Sequence, residues 1–308
     1  MSSSTGLNAM VLALKSAAEP TRLRLLALLS HGELSVGEIC RVLGQSQPRV
    51  SRHLRLLAEA GFLDRFREQQ CIYYRTPARL SGFGWLRQLL EQVDASEPVL
   101  KRDRERVSQV ILARARAASS ELRRRQPGGV NSESTPVELG AALLEELGPT
   151  SVGELLDIGT GSGGMMELLA RRARHAVGID ISAPALRMAR TRVHGAGLSH
   201  CEFHRGDMYE LPCEDASFDT VSMDRLLALA KRPAAALAEA ARALRPGGRL
   251  IIVERFDQME AAGSEHPLRQ LRSWLAGAGL DAARLRPCDF HEGHYLIATA
   301  RRSASQGS

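Results

Sequence analysis

Glu154-Leu-Leu-Asp157-Ile-Gly159-Thr-Gly161-Ser-Gly163-Gly164 reads as a short buried strand running into a glycine-rich turn that opens a helix, the arrangement of a nucleotide site. Gly159, Gly161 and Gly164 satisfy G-x-G-x-x-G, so the glycines alone fit a nicotinamide enzyme as well as a methyltransferase. Asp157 separates the two. A carboxylate at the strand end repels a pyrophosphate, whereas S-adenosylmethionine (SAM) brings an ammonium and a sulfonium that it attracts. The turn favours SAM.

Downstream the remaining parts of such a site follow in order. His175-Ala-Val-Gly-Ile-Asp180 is a second apolar strand ending in an acid 23 residues after Asp157, about the separation at which a carboxylate meets ribose hydroxyls. Cys201 to Met208 reads as a third strand ending in Gly206-Asp207, where Asp207 can accept from an adenine amino group while Met208 packs on the ring. Phe218 to Met223 is a fourth strand, and Leu244-Arg-Pro-Gly-Gly followed by Arg249 to Val253 gives a helix stop, a turn and a fifth. Taken together, residues 135–302 resemble the class I SAM-dependent methyltransferases of the ubiquinone-biosynthesis branch. The resemblance implies a Rossmann-like α/β fold with a mostly parallel seven-stranded sheet. It also implies a SAM or S-adenosylhomocysteine (SAH) site formed by Asp157, Gly159, Thr160, Gly161, Gly163, Asp180, Ile181, Asp207, Met208 and Met223.

The N-terminal third has a different character. Residues 1–130 carry 21 Lys and Arg against 12 Asp and Glu, and residues 131–308 carry 20 against 23, within a net charge of +6. Such asymmetry suits a nucleic-acid-binding domain joined to a near-neutral one. Its pattern is a run of short helices: Arg22 to Leu29 with Pro20 in the first turn, a capping box at Ser35-x-x-Glu38, and a third helix opened by Ser46-Gln-Pro48 and closed near Gly61. Only Gly44-Gln45 separates the last two, which makes a helix-turn-helix. Phe62 to Arg67, the polar turn Glu68-Gln-Gln70, and Cys71 to Arg75 read as a β-hairpin wing.

Ala18-Glu-Pro-Thr-Arg-Leu-Arg-Leu-Leu, Gln45-Ser-Gln-Pro-Arg-Val-Ser-Arg-His-Leu and Glu68-Gln-Gln-Cys-Ile-Tyr-Tyr-Arg resemble the arsenic-repressor (ArsR/SmtB) family of winged-helix regulators. The resemblance implies a homodimer on double-stranded operator DNA, with Ser46, Gln47, Arg49, Val50, Ser51, Arg52 and His53 at or near base edges and phosphates. Arg55 is expected at phosphate, and Arg67 and Arg75 of the wing add salt-sensitive affinity. Leu54, Leu56 and Leu57 are expected in the core.

No metal is expected. Ser35 and Gly37 stand where thiolate sensors of that family carry cysteines, and no histidine lies between His53 and His175. Cys40 reads as a small core residue and Cys71 as a strand residue. Cys201, Cys213 and Cys288 raise arsenite methylation as a minor alternative, but Met223-Asp-Arg-Leu-Leu replaces the cysteine that such enzymes carry after the fourth strand. Five scattered cysteines without C-x-x-C, no leader and no long apolar run suggest a reducing cytoplasm, with association to the nucleoid through DNA.

The expected organisation is a winged-helix and dimerisation domain over 1–95, a charged helix and linker over 96–134, a methyltransferase-fold domain over 135–302 and a disordered tail at 303–308. Gly82 to Val93 fits a dimerisation helix, and Val99, Val107, Val110, Ile111 and Arg114 suggest one stripe on the following helix, which closes before the boundary Gln126 to Ser134. The whole resembles bacterial fusions of such a regulator with a SAM-dependent methyltransferase. It departs from them at Ala117 to Arg125, Asp224 to Ala230 and Phe256 to Ser264, where aromatic-rich or acceptor-covering segments are usual. Two readings follow: a regulator whose methyltransferase domain modifies a small molecule, or a non-catalytic repressor that senses SAM or SAH. A DNA methyltransferase is disfavoured because no Asn/Asp-Pro-Pro-aromatic tetrapeptide follows the fourth strand. Asp224, Arg225 and His204 are candidate acceptor contacts, and no catalytic base is named.

Overall fold

A computed structural model of the chain describes residues 7–68, 70–77, 88, 90, 92, 97–125, 135–261 and 266–303. The chain divides into two compact units, 1–117 with 193–200, and 118–192 with 201–308.

The first unit is built from α1 (Leu7–Ala17), α2 (Pro20–Leu29), β1 (Leu34–Ser35), α3 (Val36–Leu43), α4 (Gln47–Glu59), β2 (Asp64–Glu68), β3 (Cys71–Arg75) and the first part of α5 (Pro98–Arg125). Local chemistry sets the helix ends. The Glu19 carboxylate accepts from the Arg22 amide at 2.8 Å and starts α2. Ser35 and Glu38 form a reciprocal capping box on α3. Gly44, at φ +64°, stops α3 in a left-handed turn, and α4 begins three residues later. The three strands pair antiparallel in the order β1-β3-β2, with Asp64 opposite Arg75 and Glu68 opposite Cys71. This is a winged helix-turn-helix. Leu25, Leu26, Ile39, Val42, Leu54, Leu57 and Phe62 pack with Val107, Val110 and Ile111 of α5 in one core. The α5 stripe is therefore buried as expected, except that Val99 is only half-buried. The expected helix at Gly82–Val93 falls outside the described residues except at isolated positions, and the boundary at 126–134 falls wholly outside them.

The second unit continues through α6 (Val137–Leu147), β4 (Gly153–Ile158), α7 (Gly164–Ala170), β5 (Ala173–Asp180), α8 (Ala183–Gly195), β6 (Cys201–Arg205) and β7 (Phe218–Asp224). After a single turn of 3-10 helix, Leu227–Leu229, come α9 (Pro233–Ala243), β8 (Leu244–Arg255), α10 (Phe256–Ala261), α11 (Pro267–Gly277), β9 (Leu280–Phe290) and β10 (Gly293–Arg302). Its seven strands run in the order β6-β5-β4-β7-β8-β10-β9. The first five are parallel, and β10 lies antiparallel to both β8 and β9. Chain order reverses on either side of β4, the switch point where α/β sheets open a crevice at their carboxyl edge. Strands β4, β7 and β8 carry nearly continuous buried runs because helices cover both faces of a parallel sheet. The third strand stops at Arg205, short of the expected Met208. The polar run after the fifth strand begins as the short helix α10. Among the described residues no helix is long and apolar enough to cross a membrane.

Candidate functional site

The turn after β4 is held open by three glycines that a side chain would strain: Gly159 at φ +68°, Gly161 at +54° and Gly163 at +82°. The Gly159 and Thr160 amides donate to the Ile179 carbonyl at 2.8 and 3.0 Å, which ties the turn to β5. A Cβ on Gly159 would meet the Leu226 side chain at 2.7 Å, and one on Gly163 would meet Ala189 at 3.0 Å. A Cβ on Gly161 would find nothing nearer than the Gly159 carbonyl oxygen at 3.8 Å. The middle of the loop thus faces open space.

Four carboxylates end four neighbouring strands beneath and beside this space: Asp157 on β4, Asp180 on β5, Asp224 on β7 and Glu254 near the end of β8. Asp157 is fully buried; its Oδ1 accepts from the Ser222 hydroxyl at 2.7 Å, and the Thr160 hydroxyl also acts on the carboxylate. Burial, partly offset by the Thr160 and Ser222 hydroxyls, pushes its carboxyl up to about 7, and the negative Asp224 and Asp180 add to the effect. Glu254 behaves alike. Its Oε1 accepts from the Leu226 and Leu227 amides at 2.8 and 2.6 Å, its Oε2 is buried without a partner, and burial pushes it up to about 7. Motif spacing did not point to Glu254; the signal was the charged pair Glu254-Arg255 closing the apolar run Leu250-Ile-Ile-Val253. Arg225, at φ +51°, grips Asp224 with both Nε and Nη2, at 3.1 and 2.8 Å.

Asp180 does more than its spacing suggested: Oδ2 accepts from the Gly161 amide and Oδ1 from the Ser182 amide, each at 2.8 Å. It therefore clamps the glycine loop to the start of α8. Ile181 is 64% exposed beside it, a free apolar face for a ring. Asp207 is exposed, its Oδ1 accepting from the Tyr209 amide at 3.0 Å, and Met208 lies against the core beside it. Met223 is a correction. Its side chain is wholly enclosed in the core, because alternate residues of a central strand point into the helix layers.

Buried carboxylates below an open glycine loop suit a cationic ligand. SAM fits on this chemistry: Asp157 would meet its positive amino-acid end, Asp180 the ribose, and Ile181, Asp207 and Met208 the adenine.

In the first unit, α4 divides into two faces. Val50, Leu54 and Leu57 point into the core at helical spacing, and Ser46, Gln47, Arg49, Arg52 and Arg55 are exposed. Ser51 and His53 are half-buried, with His53 Nδ1 3.6 Å from a Glu19 carboxylate oxygen. Three expectations change. Val50 is 0% exposed and belongs to the core, not to a base-reading surface. Leu56, expected inside, is 37% exposed on the outer face. Arg75 turns inward to Glu33 at 3.0 Å and over the Phe66 ring at 5.0 Å, so it is engaged within the wing, whereas Arg67 is exposed.

None of the five cysteines is in a disulfide: Cys201 and Cys288 are buried, Cys40 and Cys213 half-buried, and Cys71 exposed on β3. Among the described residues no group of three or more His, Cys, Asp and Glu is placed to hold a metal, so Cys201, Cys213 and Cys288 do not come together as a thiolate site.

Residues 19–65 match the family described as bacterial regulatory protein, arsR family, and residues 156–252 match the family described as methyltransferase domain. An uncharacterized 37.1 kDa protein in transposon TN4556 of Streptomyces fradiae is 38% identical over 117 residues, 37% of this chain and 33% of its own length. The ubiquinone/menaquinone biosynthesis C-methyltransferase UbiE of Ruegeria sp. (strain TM1040) is 33% identical over 125 residues, 40% of this chain and 50% of its own. A SAM-dependent methyltransferase structure from Aquifex aeolicus shares 21% identity, covering 53% of this chain and 89% of that one with a TM-score of 0.45. The chain spans between a third and a half of the length of these two curated relatives. Its N-terminal stretch is thus similar to the arsR family and its C-terminal stretch to the methyltransferase-domain family.

Proposed function

We propose that the protein is a dimeric, cytoplasmic transcriptional regulator that binds a palindromic operator and whose second unit uses SAM to methylate a small molecule. The observation that carries the cofactor reading is the fully buried Asp157 carboxylate beneath the open glycine loop. When bound, SAM supplies an electrophilic methyl group. The protein's part is orientation: Asp157 and Asp180 hold the loop and the ligand's polar groups, and Glu254 pins the Leu226-Leu227 backbone on the acceptor side. Positioning of this kind can lower a transfer barrier by several kcal/mol. Residues 226–230 are all apolar and Leu229 is 68% exposed, which favours an apolar acceptor. The Ruegeria relative, a ubiquinone/menaquinone biosynthesis C-methyltransferase, agrees with that class.

Dimerisation is supported by α1, whose Leu7, Val11 and Leu14 form an exposed apolar stripe at helical spacing. The exposed polar and basic residues of α4 support operator binding.

A second reading, a SAM- or SAH-sensing repressor without turnover, is favoured by the state of the acceptor side. Asp224 is engaged by Arg225, and Oε1 of Glu254 by two amides, so neither presents a committed base. Calorimetric titration with SAM and SAH, with and without operator DNA selected from a random pool, separates the readings. SAM binding that DNA leaves unchanged, followed by turnover in an acceptor screen, supports the enzyme. SAH affinity that changes with DNA supports the sensor, since coupling acts reciprocally on both ligands. Absence of binding by either ligand overturns both.

A further inference from the structure

We propose that Arg22, a residue of α2 outside the recognition helix, holds a DNA backbone phosphate. The inference rests on the operator-binding reading and adds a contact to it.

Arg22, Pro48, Arg49, Arg52, His53 and Leu56 line one depression of about 530 Å³ on the surface of the first unit. Three arginines therefore line a single hollow, which gathers positive charge there. The neighbouring carboxylate, Glu19, is committed: it caps α2 by accepting from the Arg22 amide at 2.8 Å and lies 3.6 Å from His53 Nδ1. Arg22 itself spends Nη2 on the Lys15 carbonyl at 3.2 Å, while its Nε is buried without a hydrogen-bond partner. A buried donor left unpaired is costly. An anion in the hollow would supply the missing acceptor and offset that charge.

The geometry points to a phosphodiester. Arg49 and Arg52 stand one turn apart on the exposed face of α4, the face that would enter a groove. Arg22 comes from a different helix at the border of that face, where the groove wall, the sugar-phosphate backbone, would pass. A planar guanidinium matches phosphate oxygens, and Pro48 and Leu56 give the hollow apolar sides suited to a sugar. A backbone contact carries no sequence information, so its loss should weaken all DNA alike.

The test is fluorescence anisotropy of the full chain on its selected operator and on an unrelated duplex of equal length, across a salt series, for wild type, Arg22→Gln, Arg22→Lys and Arg52→Ala. Arg22→Gln keeps a donor for the Lys15 carbonyl, and thermal melting checks that it folds. The expected result is a loss of about fivefold on both duplexes near 0.15 M salt and a log–log salt slope shallower by about 0.9, the change for one phosphate contact. Arg22→Lys should keep the slope. Wild-type affinity and slope in Arg22→Gln, alongside weakened Arg52→Ala, would overturn the proposal and leave operator binding standing. A loss confined to the operator would also overturn it, since that marks a base contact. No DNA binding by wild type would sink both.

Discussion

The guanidinium of Arg114 holds the Glu38 carboxylate through two bonds, Nε to Oε1 at 2.7 Å and Nη2 to Oε2 at 2.6 Å, with both side chains less than a tenth exposed. Glu38 simultaneously accepts from the Ser35 amide and hydroxyl, each at 2.8 Å. The pair therefore joins α5 to the start of α3, the helix that precedes the turn into α4.

Removing one partner of such a pair leaves a buried charge. Arg114→Met should destabilise the first unit by about 3–5 kcal/mol, and Glu38→Gln in the same chain should restore much of this while keeping the cap. Burial acts to raise the Glu38 carboxyl, but the Arg114 charge overrides it and holds it below the usual carboxylate range. Its contribution is therefore present above the ordinary glutamate value, about 4.3, and is lost as pH falls through the lowered one. Urea unfolding of wild type and the double variant at pH 7 and below pH 4 should show the gap closing in acid.

Asp157 and Glu254 have the opposite sign. Each is raised to about 7, so the stability tied to their protonation is present below the ordinary carboxylate value near 4 and is lost as pH rises through about 7. Relative to Asp157→Asn, wild type should lose stability between pH 5.5 and pH 8. A cationic ligand draws Asp157 into its charged form, so SAM should bind more tightly at pH 8 than at pH 6 and release a proton at pH 6. Calorimetry in buffers of different ionisation enthalpy measures that proton, and Asp157→Asn should abolish it.

Gly161→Ala separates ligand space from packing. The new methyl enters open space, so the fold should lose only about 1–2 kcal/mol from the left-handed backbone, yet SAM affinity should fall at least tenfold. Unchanged affinity in the folded variant would show that the space above the loop is not used.

On α4, Arg52→Ala should weaken operator binding without altering the melting temperature, whereas Val50→Ala should do the reverse. Val50 is enclosed in the core, and truncating it there costs about 1–3 kcal/mol through lost burial. Gel shift and melting of the two variants, side by side, check the assignment.

The exposed stripe of α1 predicts a dimer. Val11→Glu with Leu14→Glu should yield monomers by light scattering and weaken operator binding at low protein concentration; a persistent dimer would place the interface elsewhere.

Sequence alone determined what neighbouring residues decide together. The Ser35–Glu38 box, the Gly44 stop and the left-handed glycines after Asp157 are local devices with bonds spanning a few residues, and each stands where its spacing put it. The succession of apolar strands ending in Asp157 and Asp180 was equally legible, because each strand shows its own acid at its own end. Tertiary structure decided what depends on distant partners. Arg75 looked like a free wing charge until Glu33, 42 residues away, appeared beside it. Glu254, one residue past the expected strand end at Val253, had no role until the amides of Leu226 and Leu227 came into reach. Val50 and Leu56 exchanged places because α4 rotates to bury the row Val50, Leu54 and Leu57 against Ile39 and Phe62. An interior–exterior choice of this kind is made by which row buries the most apolar surface against the other elements, and those elements meet only in the folded chain.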